Sequence, residues 1–167
     1  AAYALDFSMG YEEWSKTKLS ASRRQGLSLK KRKLEREVGK ADFRILKDPD
    51  EIREAFVFLR RVRTLRFPGD LFARDEYYDF YLDLAIAEAE SGKAVTFACN
   101  IAGRFICADF CLVEGSRIYT IITGFEEADG FDKYSLGYLS LAAMFRECEE
   151  LGMDVVDFTI GDEDYKT

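Results

Sequence analysis

Between residues 94 and 124 the sequence reads as three strands with almost no slack between them. Ala94–Ile101, Arg104–Val113 and Arg117–Gly124 are β-branched and aromatic runs, separated only by Ala102-Gly103 and by Glu114-Gly115-Ser116. Glycine-containing connections this short leave room for hairpins and little else, so the three runs form an antiparallel meander. The flanking segments must then cover its two faces. Ala41–Leu46 alternates as a short strand. Asp48-Pro49-Asp50-Glu51 supplies a cap, a proline at the first helical position and a glutamate three residues after the cap. Ile52, Phe56, Leu59, Val62 and Leu65 follow at helical spacing as far as Phe67-Pro68-Gly69. A second helix starts at about Asp75, with Tyr78, Tyr81, Leu82, Ala85, Ile86 and Ala89 on one face and Gly92 as its stop. After the meander comes a polar loop, then a helix from about Ser135 to Leu151 with Leu141, Met144, Phe145, Cys148 and Leu151 on its buried face, then a strand from Asp154 to Thr159. This order predicts an α/β (α+β) chain with a mixed, largely antiparallel sheet flanked by helices.

The first 40 residues have a different character. Tyr11, Trp14, Leu19, Leu27, Leu34 and Val38 are scattered among charges and read as one or two amphipathic helices. Residues 16–40 hold ten Lys or Arg against Glu35 and Glu37, a balance of +8 in a chain of net charge −7, so the rest carries −15. Two parts are expected: a basic helical segment, 1–40, packing on or linking to a main domain, 41–167. The basic segment suits a phosphorylated donor, an anionic surface, nucleic acid or the acidic body of its own chain. At 167 residues, 48% of them hydrophobic, the chain can bury one core. No apolar run is long enough for a bilayer and no signal peptide is visible, so the chain reads as soluble and cytoplasmic. It begins without Met and ends inside its most suggestive motif, which reads as an excerpt of a longer polypeptide.

The composition also limits the chemistry. With no His in the chain, any general base must be Asp, Glu, Tyr, Lys, Cys or a water they hold. Cys107, Asp109 and Cys111 alternate along one strand and face the same side, but without His and without a Cys-x-x-C pair the cysteines read as small buried hydrophobes, and no metal is expected.

The last stretch is the most site-like. Tyr134-Ser135-Leu136-Gly137 opens a helix directly after the meander, where unpaired N–H groups and the positive end of the helix dipole suit the phosphates of a nucleotide-type donor. Ser135 is the expected cap, Gly137 allows close backbone approach, and Leu136 and Tyr138 complete the donor-binding turn. The final strand delivers Asp157, to orient an acceptor or take its proton, and the turn beyond it delivers Glu163, Tyr165 and Lys166. Tyr165 is the candidate acid toward a departing thiolate, since a phenol near pKa ~10 lies close to a thiol at roughly 8.5. Lys166, Arg23 and Arg24 are candidate substrate contacts, and Tyr77, Tyr78, Phe80 and Tyr81 offer either sugar stacking or core packing.

The order of elements resembles the Gcn5-related N-acetyltransferase (GNAT) fold. More closely, Tyr3-Ala4-Leu5-Asp6 through Trp14, the Arg/Lys-studded stretch Ser20–Glu35, and Tyr134-Ser135-Leu136-Gly137 with Asp157-Phe158 and Gly161-Asp162-Glu163-Asp164-Tyr165-Lys166 are similar to GNAT-like proteins linked to bacterial cellulose and exopolysaccharide biosynthesis (CelD type). The resemblance implies transfer of an acyl group from acetyl-CoA or another acyl-CoA to an amine or hydroxyl of a small-molecule or glycan acceptor. It also implies that the last helix and two strands of the fold lie beyond Thr167. Gly124-Phe125-Glu126-Glu127-Ala128-Asp129-Gly130 departs from the usual Gln/Arg-x-x-Gly-x-Gly/Ala pyrophosphate loop. Two alternatives therefore stay open: the aminoacyl-tRNA donor of the related Fem-type transferases, and a non-catalytic GNAT-like binding module.

Overall fold

The computed structural model describes residues 2–6 and 8–160. In chain order the elements are β1 (Ala2–Asp6), α1 (Tyr11–Lys18), α2 (Ala21–Glu37), β2 (Asp42–Leu46), α3 (Pro49–Arg66), α4 (Asp75–Ala87), β3 (Ala94–Ile101), β4 (Arg104–Glu114), β5 (Arg117–Phe125), α5 (Leu136–Glu150) and β6 (Val155–Ile160). The six strands form one sheet in the order β1-β6-β5-β4-β3-β2. All neighbours are antiparallel except β5 and β6, which are parallel and joined through α5. This is the mixed α/β architecture expected, with the meander as its centre.

Side-chain alternation sends each strand's residues to two layers. Ala98, Ala108, Phe110 and Ile122 meet Phe56, Leu59 and Val62 of α3 and Tyr78 and Ala85 of α4. On the other face Phe97, Cys111, Ile118, Val156 and Phe158 meet Met144, Phe145 and Cys148 of α5 and Tyr11 and Trp14 of α1. Leu34 of α2 enters a neighbouring cluster with Cys99, Ile106, Cys107, Leu136 and Leu139. The aromatic face of α4 is used for packing: Tyr78 is buried against Phe56 and Phe72, Tyr81 lies 5.7 Å from the Phe110 ring, and Phe80 remains exposed.

Two expected core positions are exposed. Leu65 is 72% and Leu151 47% accessible. Each step of three residues falls about 60° short of a full helical turn, so the three steps from Phe56 carry Leu65 to the far side of α3. Leu151 is the cap residue of α5, beyond its last turn. The strand β1 is a feature the periodicity did not predict; its partner β6 lies some 150 residues downstream in the register Ala4↔Asp157 to Asp6↔Val155.

Candidate active site

The sheet forks between its two parallel strands. Pairing of β5 with β6 runs only from Arg117↔Val155 to Tyr119↔Asp157, while β5 continues to Phe125 and β6 continues along β1. At the fork β5 also bulges: Cys111 pairs with Thr120 and Phe110 with Ile122, so Ile121 has no partner on β4. A bulge bends the strand and frees backbone groups from the ladder, a common device beside active sites. Beyond it, Gly124 lets α3 approach closely, since a Cβ there would stand 2.8 Å from Val62 Cγ2 and 3.0 Å from Leu59 Cδ2.

Asp157 occupies the last paired position, at the fork itself. Its neighbours Val156 and Phe158 point into the α5 layer, so Asp157 faces the opposite side of the sheet, as does Arg117 beside Ile118. The Arg117 guanidinium donates to Asp157 Oδ2 at 3.1 Å, and the Asp157 side chain is 11% exposed. The buried Thr120 hydroxyl donates to the Asp157 carbonyl at 3.5 Å. Arg117 was not legible as a partner, because it stands 40 residues away in sequence.

The helix α5 begins beside the fork, and there the structure corrects the expected cap. Ser135 precedes α5 but adopts a left-handed conformation (φ 53°, ψ 50°) instead of the extended backbone of a capping serine, and its side chain makes no cap bond. Its hydroxyl instead accepts from Lys30 Nζ of α2 at 2.6 Å. Leu136 is buried in the core, so only its backbone is available to a ligand. Gly137 lies under Phe125, whose ring would be 3.4 Å from a Cβ. Tyr138 carries the Arg23 guanidinium 5.8 Å from its ring centroid. Arg23 and Arg24 diverge around α2: Arg23 lines a groove with Tyr138 and Trp14, whereas Arg24 lines a second one with Lys31, Phe43 and Arg146. Glu163, Tyr165 and Lys166 lie outside the described residues.

Two buried carboxyls carry networks of their own: Glu126, which sequence reasoning missed, and Asp109, which it read only as a neighbour of Cys107 and Cys111. Glu126, first residue after β5, is buried and accepts from Arg61 Nη2 at 2.6 Å, Arg104 Nη2 at 3.2 Å and the Ala128 N–H at 3.3 Å. Burial alone would raise its pKa, but these hydrogen bonds outweigh it and hold the carboxyl below the usual glutamate range. The polar loop leading to α5 is thereby anchored. Asp109 is buried on the α5 face of β4 and accepts from Thr123 Oγ1 of β5 at 2.7 Å and Ser140 Oγ of α5 at 2.9 Å. Burial pushes its pKa up, against the two hydroxyls. It lines a small crevice under the fork with Thr120, Thr123, Ser140 and Phe158. The cysteines are core residues, as expected. Cys107 and Cys111 share the face of Asp109, and burial pushes the Cys148 thiol up to about 12.

A sheet forked between parallel strands, with a helix N-terminus at the fork, is the framework that the GNAT resemblance implies. The chain belongs to the acetyltransferase (GNAT) domain family, whose pattern it matches over residues 21–167. Among solved structures it is similar to FemX, with 13% identity and a TM-score of 0.70 over 98% of this chain and 53% of FemX. It is also similar to the C-terminal domain of a lysylphosphatidylglycerol synthetase from Agrobacterium fabrum, at 13% identity and a TM-score of 0.63 over 94% of this chain and 45% of the other. An acetyltransferase from Clostridium acetobutylicum solved with acetyl-CoA matches at 12% identity and a TM-score of 0.50, over 74% and 82% of the two chains. The chain spans about half the length of the first two structures. No curated protein matches in sequence. No helix among the described residues is long and apolar enough to cross a membrane.

Proposed function

We propose that the protein transfers an acyl group, acetyl from acetyl-CoA, to an amine or hydroxyl acceptor, with a cellulose or exopolysaccharide precursor as the acceptor that the CelD-type resemblance favours. The observation that carries this reading is the fork at Tyr119↔Asp157, with the bulge at Ile121 and the start of α5 beside it. The donor lies along the freed edge of β5 with its phosphates toward the first turn of α5, where the backbone of Leu136 and Gly137 offers N–H groups and the Tyr138 N–H donates to the Ser135 carbonyl at 3.1 Å. A backbone N–H near the bulge polarises the thioester carbonyl. Asp157 faces the opposite side of the sheet, so the acceptor approaches from there, oriented by a carboxylate that Arg117 keeps in place. The acceptor nitrogen or oxygen forms its bond to the carbonyl carbon, the C–S bond breaks, the acceptor's proton passes to Asp157 or a water it holds, and Tyr165 protonates the thiolate. Lys166 is proposed to pair with a phosphate of the donor.

Calorimetric titration of acetyl-CoA, followed by acetyl transfer assays on Asp157→Asn, tests the reading. Saturable micromolar binding in both proteins is expected, with turnover lowered in the variant by about 10²-fold or more, the usual scale of lost acid–base assistance. Absence of acetyl-CoA binding to the folded protein would refute it. A second reading, aminoacyl transfer from charged tRNA as in Fem-type enzymes, is favoured by the atypical segment Gly124–Gly130 and by the basic α2. Retention of charged tRNA, steeply weakened by salt, would replace the first reading with this one.

A further inference from the structure

The α1–α2 hairpin lies across α5 without filling the space beneath it. Between β1, this hairpin and α5 is a groove of about 430 Å³, within the range of small-ligand sites. Trp14 and Phe145 form its floor, edge to face at 5.1 Å. Lys18, ending α1, and Arg23, in the first turn of α2, stand on its rim. Lys31, Lys33 and the arginines around the fork are matched to carboxylates, but neither Lys18 nor Arg23 has an acidic partner among the described residues. Two unmatched cations beside one groove in a chain of net charge −7 make a local anion-attracting rim. The other wall is β1, from Ala4 to Asp6, with Leu5 packed into the α5 layer. Tyr138 and Leu141 of α5 line the same groove, and Leu141 also lines the crevice under the fork.

Cations at the rim and aromatic rings below them match a phosphorylated adenosine: its 3′-phosphate at Lys18 and Arg23 and the base over the aromatic floor. We propose that this groove receives the nucleotide end of the acyl donor. The inference rests on the acyl-CoA reading above and extends it: the acyl end lies at the fork, the pyrophosphate lies at the first turn of α5, and α1 and α2 supply the contacts to the remaining 3′-phosphate.

The test compares affinities for CoA and for pantetheine, which shares the arm and thiol but lacks the nucleotide, in the wild-type protein and in the double variant Lys18→Ala/Arg23→Ala. Both side chains are exposed, so the variant is expected to fold as the wild type does. Wild type should prefer CoA, and the variant should lose ~10-fold of that preference, as expected when charge-assisted contacts to a phosphate are removed. An unchanged preference in the variant would overturn the placement while leaving the donor reading intact. Binding of neither compound by the wild type would overturn the donor reading and this placement with it. A cytidine-cytidine-adenosine trinucleotide, the tRNA source of a terminal adenosine, is expected not to displace CoA; displacement would overturn CoA as the occupant.

Discussion

Glu126 and Asp109 are two buried acids near one fork with opposite dependences on pH. The folded-state pKa of Glu126 is lowered, so its contribution to stability is present above its unfolded value and is lost as pH falls through the folded one. Asp109 has a raised folded-state pKa, so the native state takes up its proton first, and stability is lost as pH rises from the ordinary aspartate range through the raised value. Glu126→Gln should therefore destabilise the protein by about 2 kcal/mol at pH ~7, the scale of hydrogen bonds to a charged group. The deficit should shrink once pH falls below the ordinary glutamate range. For Asp109→Asn the sign reverses: wild-type stability relative to the variant should fall as pH rises. Urea unfolding of the three proteins at several pH values reads both slopes, and parallel slopes would contradict the assignment. Asp109 stood out in the sequence only beside Cys107 and Cys111, and its partners Thr123 and Ser140 did not. Glu126 sits in a polar loop, and its partners Arg61 and Arg104 lie 65 and 22 residues away, so only the folded sheet brings them together.

α2 has 17 residues and buries only Leu34. The Glu37 carboxylate near its end accepts from the Tyr134 hydroxyl at 3.1 Å and pairs with Lys133 Nζ at 3.6 Å, so the helix is fastened at its C-terminal half. Leu34→Ala should lower stability by about 2–5 kcal/mol, the range for a leucine removed from a closed core. Leu29→Ala, at a position 53% exposed on the same helix, should change it by less than about 0.5 kcal/mol. Thermal and denaturant unfolding compare the two, and equal effects would contradict Leu34 as the buried contact of the helix. The contrast shows which elements were legible. α3 was, because its start is a local signal: Asp48 accepts from the Asp50 N–H at 3.0 Å and Pro49 opens the helix. Glu51 takes no part in that cap and instead accepts from Arg44 of β2. β1 and the bulge at Ile121 were not legible, because both exist only in the register between strands. Ser135 misled for a related reason, since its hydroxyl is claimed by Lys30, 105 residues away.

The two layers on the sheet are unequally filled. α3 and α4 close one face around a continuous aromatic core, with Phe56 in ring contact with Phe72, Tyr78 and Phe110. On the other face the α1–α2 hairpin leaves grooves of about 430 and 340 Å³ against α5. The periodicity of the sequence foretold the order of elements, but not this imbalance, which depends on how far a helix with one buried residue stands from its neighbour. Local opening follows packing, so amide exchange should be slowest in β3 and β4 and fastest in α1 and the first half of α2. A ligand in the larger groove would tie the hairpin to α5 and move this difference. Acetyl-CoA is therefore expected to slow exchange in residues 14–27 and in the first turn of α5 by contact, and to slow β3 and β4 through the global stabilisation that any ligand of the folded state gives. In Lys18→Ala/Arg23→Ala the local protection of 14–27 should disappear while the first turn of α5 keeps its own, since backbone N–H groups hold the pyrophosphate there independently of the two cations. Equal loss at both places would mean that the two cations act on the whole site, through its field, and not through contact with one end of the donor.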